Sequence, residues 1–544
     1  MRFKLLLAGV AALCFASSAL AQSPVTTEDF SAEAFRAHVA FLSDDLLEGR
    51  EAGSRGYDIA ARYVATQLAA LGVQPAANGD WYQQVEFVRF ANSGTPRLTI
   101  GRQAFAQSEG VLVLPSPAAD ALNVEAPLVF AGYGLDVPAR GFNDYDGLDV
   151  TGKIVVVFSG YPSGTPSDVG AHLNSEKARM AAARGAIGMI TLRTPAENER
   201  TPWTRFVTYA ARPSTTWVGS DGQPFMRGGL RFSAYADGAA AEALFEGAPQ
   251  SLDALRRQVG QGARLRGFAL RPTARAERAA AEVTRFNSSN VVAVLPGTDP
   301  ALANEYVLLM AHLDGLGVQS AASGDANADH IRNGAMDNAT GIATLIEVAR
   351  VMSEPGNRPR RPVLIAAVTA EEKGLLGAQY LARNPVVDGR VISVVNLDMP
   401  ILTYDFRDVL AFGAEHSTMG PIVERAAARM GVRLTPDPLP EESLFVRSDH
   451  YRFVQEGVPS VFLMTGFEGE GREHFTGFLA DEYHSVRDDM SQPILWATGA
   501  RFAQLNYLIA HEIANGAEAP RWFADSFFGA AFAGSREPAE RTAR

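Results

Sequence analysis

Five near-continuous apolar runs in the second half of the chain constrain its fold more than any other feature. They are Val291 to Leu295, Tyr306 to Met310, Pro362 to Val368, Val391 to Leu397 and Pro459 to Met464, and helical patterns separate several of them. A strand with one wet face alternates apolar and polar residues, so strands that are apolar throughout must be covered on both faces. Strands alternating with helices achieve this in a mostly parallel sheet. The expected class is therefore α/β, a mostly parallel mixed sheet sandwiched by helices. In such sheets ligands bind beyond the carboxyl ends of the strands, so the residues that follow each run are where chemistry is expected.

Those residues form a coherent set. Tyr306 to Met310 is followed by Ala311-His312-Leu313-Asp314, Pro362 to Val368 by Thr369-Ala370-Glu371-Glu372, and Val391 to Leu397 by Asp398. Beyond Pro459 to Met464 a loop leads to Tyr483-His484-Ser485. A helix expected over Thr340 to Met352, with Ile342, Leu345, Ile346, Ala349 and Met352 facing inward, places Asp337 at its amino end. Taken singly, each has an ordinary explanation: an acid at a helix start caps it, and a Glu-Glu pair after a strand favours a helix N-terminus. Together they fall where one topology brings them to one sheet edge. Burying that many carboxylates unpaired is prohibitive, and divalent cations are the simplest compensation. Imidazole and carboxylate without thiolate suit zinc, with Mn2+ or Co2+ as substitutes. In H-x-D the Asp314 carboxylate can accept the other ring N–H of His312.

The rest of the 544 residues reads as two further textures. Residues 1–21 have Arg2 and Lys4, an apolar run from Leu5 to Phe15 too short to span a bilayer, and Ala19-Leu20-Ala21 as a cleavage site, so a signal peptide and an exported, periplasmic or extracellular protein are expected. The single cysteine, Cys14, falls in that segment, leaving no disulfide and no Cys-rich metal site. Helices are expected over Ser31 to Leu47, with Phe35, Val39, Leu42 and Leu46 on one face, and over Ile59 to Leu71, joined by the polar loop Glu48 to Gly56. From about Arg97 short β-branched runs take over, such as Lys153 to Phe158 and Gly185 to Leu192. The expected division is 22–115 as the first part of the catalytic domain, 116–265 as a β-rich insertion, 266–515 as the main catalytic part and 516–544 as a tail whose aromatic Trp522 to Phe532 docks on it. With 49 Lys+Arg against 61 Asp+Glu the net charge is −12, which argues against nucleic acid or an anionic membrane as a main partner.

The motifs AHLDGLG, NGAMDNATG, TAEEKGLLGAQY, NLDMP and YHSVRDD resemble, in order and in spacing, those of the co-catalytic two-zinc exopeptidases, a family that includes bacterial exported aminopeptidases, glutamate carboxypeptidase and the transferrin receptor. The resemblance covers about 290 to 515 and extends upstream to FLSDDLLEGREAGSRGYDIAARY. VFAGYGL, DYDGLDVTGKIVVVF and ARGAIGMITL resemble the protease-associated domain inserted in many members. The resemblance implies two Zn2+ per chain, with Asp337 bridging, His312 and Asp398 completing one site, and Glu372 and His484 the other. It further implies Glu371 as general base and Asp314 as the residue that holds the His312 ring. Ser448-Asp449-His450 matches a segment near the family's substrate pocket, where His450 would stabilise a developing oxyanion or make a structural hydrogen bond. Gly315 stands where many relatives carry His, and Met336 where many carry Asp. The other histidines, His38, His172, His330, His416, His474 and His511, are read as non-ligands, and Asp325 to Asp329 as surface loop.

The implied activity is removal of N-terminal residues from peptide substrates. A carboxypeptidase or dipeptidase of the glutamate carboxypeptidase type would need a cationic pocket, for which Arg447 and Arg487 are candidates. A non-catalytic receptor-like binding protein and a one-metal cyclase of related fold are the remaining alternatives.

Overall fold

The computed structural model of the protein describes residues 25–118, 120–226, 228–319 and 328–541. The expected signal segment with Cys14, and most of Asp325 to Asp329, lie outside these residues.

The apolar runs all enter one ten-stranded sheet. Its centre is Val363–Val368, Glu305–His312, Arg390–Leu397 and Ser460–Thr465, in that spatial order and all parallel. Glu282–Leu295 and Tyr82–Ala91 continue it antiparallel on one side, Asp408–Phe412 on the other. Successive side chains of a strand point to opposite faces, and here both faces are covered. Val307, Leu309 and Ala311 join the apolar cluster formed with helices Ala32–Leu42, Thr340–Ser353 and Trp496–Asn515. Leu308 and Met310 join a second cluster, with Ala378 and Leu381 of helix Leu376–Arg383 and Phe453 of helix His450–Val454. At about 1.5–3 kcal/mol per large aliphatic side chain buried, this two-sided cover explains why the central strands tolerate so little polarity.

The first helix is shorter than expected. The Ser31 side chain accepts the Ala34 N–H at its start, but the helix ends at Leu42; Asp44 then caps the short turn segment Asp45–Arg50. Leu46, expected to face inward, is 83% exposed as a result. The next helix, Arg55–Ala70, starts at its Ser54 cap rather than at Ile59.

The insertion is longer at both ends than 116–265. Its eight-stranded sheet runs in the order Gln103–Ala106, Arg97–Ile100, Phe268–Arg278, Leu122–Phe130, Ile154–Phe158, Gly188–Leu192, Phe232–Ala236, Val111–Val113. The chain enters and leaves through Tyr82–Ala91 and Glu282–Leu295, which pair antiparallel from Tyr82↔Val291 to Ala91↔Glu282. One strand within the insertion, Ser214–Trp217, returns to the catalytic sheet and pairs with Tyr82–Ala91. The aromatic tail docks as expected: Trp522 and Phe528 are buried, and the Trp522 Nε1–H donates to the Gly457 carbonyl at 2.9 Å.

The turn segment Asp45–Arg50 lies directly on the start of the second helix. A Cβ on Gly56 would fall 1.8 Å from the Leu47 carbonyl oxygen, a contact with backbone that no rotamer relieves. Gly56→Ala is expected to cost about 3 kcal/mol and to lower Tm by several degrees in a thermal melt. Gly260→Ala, where nothing lies within 4 Å of the added methyl, is the control and should leave Tm unchanged.

Candidate metal centre and active site

Each expected ligand follows from where an element ends. His312 is the last residue of Glu305–His312, and Asp398 follows Arg390–Leu397 directly. Asp337 lies in the turn Ala335–Ala339 that leads into helix Thr340–Ser353. Glu371 and Glu372 follow Val363–Val368, and His484 sits in a loop after helix Gly471–Asp481.

The structure gathers them into two groups that share Asp337. The His312 Nε2 lies 3.1 Å from one Asp337 oxygen and 3.2 Å from Asp398. The His484 Nε2 lies 3.4 Å from the other Asp337 oxygen and 3.4 Å from Glu372. His312, Asp337 and Asp398 are buried, whereas the His484 side chain is 39% exposed. Burial pushes the Glu372 carboxyl up to about 8, with the Asp337 charge adding to the push. Burial would raise Asp337 too, but its hydrogen bonds to His312 and His484 hold it well below the usual carboxylate range. His312 moves the other way: burial alone would lower it, yet Asp398 and Asp337 hold it well above an ordinary imidazole.

The hydrogen bonds behind the ligands differ from the expectation for Asp314. The His312 Nδ1 bonds to the main-chain carbonyl of Asp314 at 3.1 Å, not to its carboxylate. That carboxylate instead accepts the main-chain N–H groups of Glu371 at 3.0 Å and Glu372 at 3.3 Å, and so fixes the Glu-Glu turn. The carbonyl accepts only, so Nδ1 carries the proton; in a neutral ring the Nε2 lone pair then points at two carboxylates. Only a proton or a cation between them makes that arrangement favourable. The donor set of imidazoles and carboxylates, with Asp337 offering one oxygen to each group, fits divalent cations of the zinc type.

Four supporting residues carry no role in the sequence reading. Asp488 accepts the N–H groups of Met336 at 2.7 Å and Asp337 at 3.0 Å. Ser448 donates to Asp398 at 2.5 Å and accepts from the Asn396 amide at 2.7 Å. Asp449 is fully buried and pushed up to about 8, chiefly by burial, with Asp398 and Asp314 adding to the effect of losing water. Arg50, from the polar loop, is buried and donates to the carbonyls of Leu42, Asn333, Leu313 and Gly334.

His450 does not take the expected place. Its fully buried ring lies between Phe445 and Phe462, with centroids 5.4 and 5.6 Å away, and burial pushes it down to about 3. It is absent from the residues lining the cavity over the ligands. The two departures from the family pattern also have physical reasons. A Cβ on Gly315 would meet the Gly49 carbonyl at 2.8 Å, and Met336 is packed wholly inside.

The cavity holds about 260 Å³ and is lined by Glu371, by His312, Asp337, Asp398 and His484 of the candidate ligands, and by Met399, Leu444, Phe462, Leu479 and Tyr483. Arg447 lines it but is paired with Glu442 at 3.1 Å, and Arg487 lies 3.7 Å from Asp481.

Residues 290–510 match the model of peptidase family M28, and residues 124–221 match that of the PA domain. A probable zinc metalloprotease of Pyrenophora teres f. teres is 34% identical over 116 residues, which is 21% of this chain and 23% of that protein. The chain thus matches about a quarter of the length of that relative. Among solved structures, an aminopeptidase from Aneurinibacillus sp. strain AM-1 superposes with a TM-score of 0.52 at 22% identity, covering 91% of this chain and 96% of that one, a likeness of fold. The matched segment spans every strand end that carries a candidate ligand, so residues 290–510 form a domain of the peptidase family M28 type, preceded by a PA domain over residues 124–221.

Proposed function

We propose that this chain is an exported zinc-dependent aminopeptidase that uses two Zn2+, held by His312, Asp337 and Asp398 and by Asp337, Glu372 and His484. The observation that carries the reading is the division of the Asp337 carboxylate between two histidine-containing groups that border a cavity with one apolar wall. When bound, such cations polarise a scissile carbonyl and lower the pKa of an attacking water.

The chain's own residues supply the rest. Glu371 lines the cavity with its main chain fixed by Asp314, where it would take the proton of an attacking water and pass it to the leaving amine. Glu372, adjacent but turned to His484, serves as ligand. The wall of Met399, Leu444, Phe462 and Leu479 suits an apolar N-terminal side chain. Removal of the N-terminal residue is favoured over carboxypeptidase action because the Arg447 charge is taken up by Glu442. Export rests on the order of charge, apolar run and A-x-A site in residues 1–21.

Glu371→Gln is expected to keep its metal and to lower kcat by about 10²- to 10⁴-fold, read by metal analysis beside peptide hydrolysis. Metal loss with turnover intact would exchange the roles of Glu371 and Glu372. Chelator should abolish cleavage of a Leu-peptide and Zn2+ restore it, and an N-acetylated peptide should resist while a peptide with a free N-terminus and an amidated C-terminus is cut. The opposite pattern of blocking would make the chain a carboxypeptidase, and chelator-insensitive cleavage would sink the metal reading. Asp488→Ala frees the main chain at Asp337, and is expected to weaken metal binding about 10- to 100-fold in a competition titration with a chromophoric chelator.

A further inference from the structure

The insertion meets the catalytic domain along helix Ser167–Ser175, which packs on the short turns Pro440–Glu442 and Leu444–Val446. Residues four apart share a helix face, and on this one His172 bonds through Nδ1 to the Tyr451 hydroxyl while Asp168, one turn earlier, reaches Glu415 and His416. One ligand atom from each of Asp168, Glu415 and His416 lies within 4.8 Å of the others. Two atoms of this group are buried without a hydrogen-bond partner, Asp168 Oδ1 and His416 Nε2. The nearer Glu415 oxygen is 3.5 Å from His416 Nε2. Asp437 adds its charge from beside the group, and burial together with Glu415 and Asp437 pushes the Asp168 carboxyl up to about 7. Arg541, the cation felt by His416, is already engaged by the Asp525 carboxylate at 2.7 Å and the Glu415 carbonyl at 2.6 Å.

We propose that Asp168, Glu415 and His416 bind a further divalent cation that staples the insertion to the catalytic domain. Two carboxylates and an imidazole from opposite sides of a seam, with buried donor atoms left unpaired, are the pattern a cation resolves and a dry seam does not. The imidazole selects Zn2+ or Mn2+ over Ca2+ or Mg2+, which prefer oxygen alone. This departs from the reading of His416 as a non-ligand. The site would hold helix Ser167–Ser175 against the segment whose Glu442 and Leu444 line the cavity, so the ion braces a wall of the active site without touching substrate. It does not depend on the aminopeptidase reading.

The test is made on the full chain, stripped by chelator and reloaded with Zn2+, Mn2+ or Ca2+ in separate arms. Metal per chain and Tm are measured for the wild type, Asp168→Asn and Glu415→Gln, the last an exposed residue whose change leaves folding intact if Asp168→Asn does not. The wild type should hold one Zn2+ more per chain than either variant, and its Tm should rise further on adding Zn2+. Equal metal content in all three, meaning the group shares a proton instead, overturns the proposal, as does an extra ion that only Ca2+ supplies. Because the reading is a difference between proteins, loss of peptide hydrolysis in the wild type would count against the peptidase reading alone.

Discussion

Asp337 turns one carboxylate oxygen to His312 and the other to His484, and the arrangement of the whole sheet edge follows from holding that one side chain still. Its neighbours come from four other chain segments, and the carboxylates among them repel one another in the absence of cations. Placement therefore does not come from the imidazole–carboxylate contacts alone. It comes from main-chain contacts: Asp488 takes the N–H groups of Met336 and Asp337, and Asn338 takes those of Gly341 and Met399 while donating to the Leu397 carbonyl. The segments that carry the candidate ligands are tied to one another through main-chain hydrogen bonds, which is the preorganisation that a metal site needs.

Arg50 extends the same principle to the amino-terminal segment. Burying a guanidinium costs several kcal/mol unless its donors are used, and this one reaches four main-chain carbonyls, on both sides of the edge that carries His312 and Asp337. Burial lowers it to about 10, while Asp488, Asp314, Asp337 and Glu372 pull the other way, so it stays charged at neutral pH. It places a buried positive charge beside a largely negative set of side chains. The loop around it also fills the space beside Gly315, where a larger residue would strike Gly49. The first helices are thus part of the site's frame.

What was readable in the sequence was what strand ends dictate. His312, Asp337, Glu372, Asp398 and His484 fall together because double-sided burial marks the central strands and topology sends their ends to one edge. Arg50 was not readable: its four partners are defined by distant folding, and a glycine-bearing polar stretch carries no sign that one guanidinium turns inward. The H-x-D spacing of His312 and Asp314 allowed a bond to the carboxylate or to the carbonyl, and only the backbone direction chose the second. His450 sits beside Ser448, which does bond Asp398, but a helix starts at His450 and rotates its ring away between phenylalanines. The limits of the insertion escaped for a different reason: Phe268–Arg278 alternates apolar residues with arginines and reads as surface, though Ala274 and Ala276 are fully buried in its sheet.

That insertion is more than an appendage, because it braces the cavity from two sides. On one, helix Ser167–Ser175 bears on the segment containing Glu442 and Leu444. On the other, the returning strand Ser214–Trp217 adds to the catalytic sheet, and the Trp217 indole donates to Gln379 at 2.9 Å while meeting the Tyr380 ring edge-on. Gln379 and Tyr380 belong to helix Leu376–Arg383, which begins four residues after Glu372. A small rotation of the insertion would therefore move the cavity wall and the Glu371–Glu372 turn together. Neither contact alone would fix the module against the cavity, since a single hinge leaves the other wall free; two contacts on opposite sides make its orientation a determinant of the distance between Glu371 and the wall of Met399, Leu444, Phe462 and Leu479.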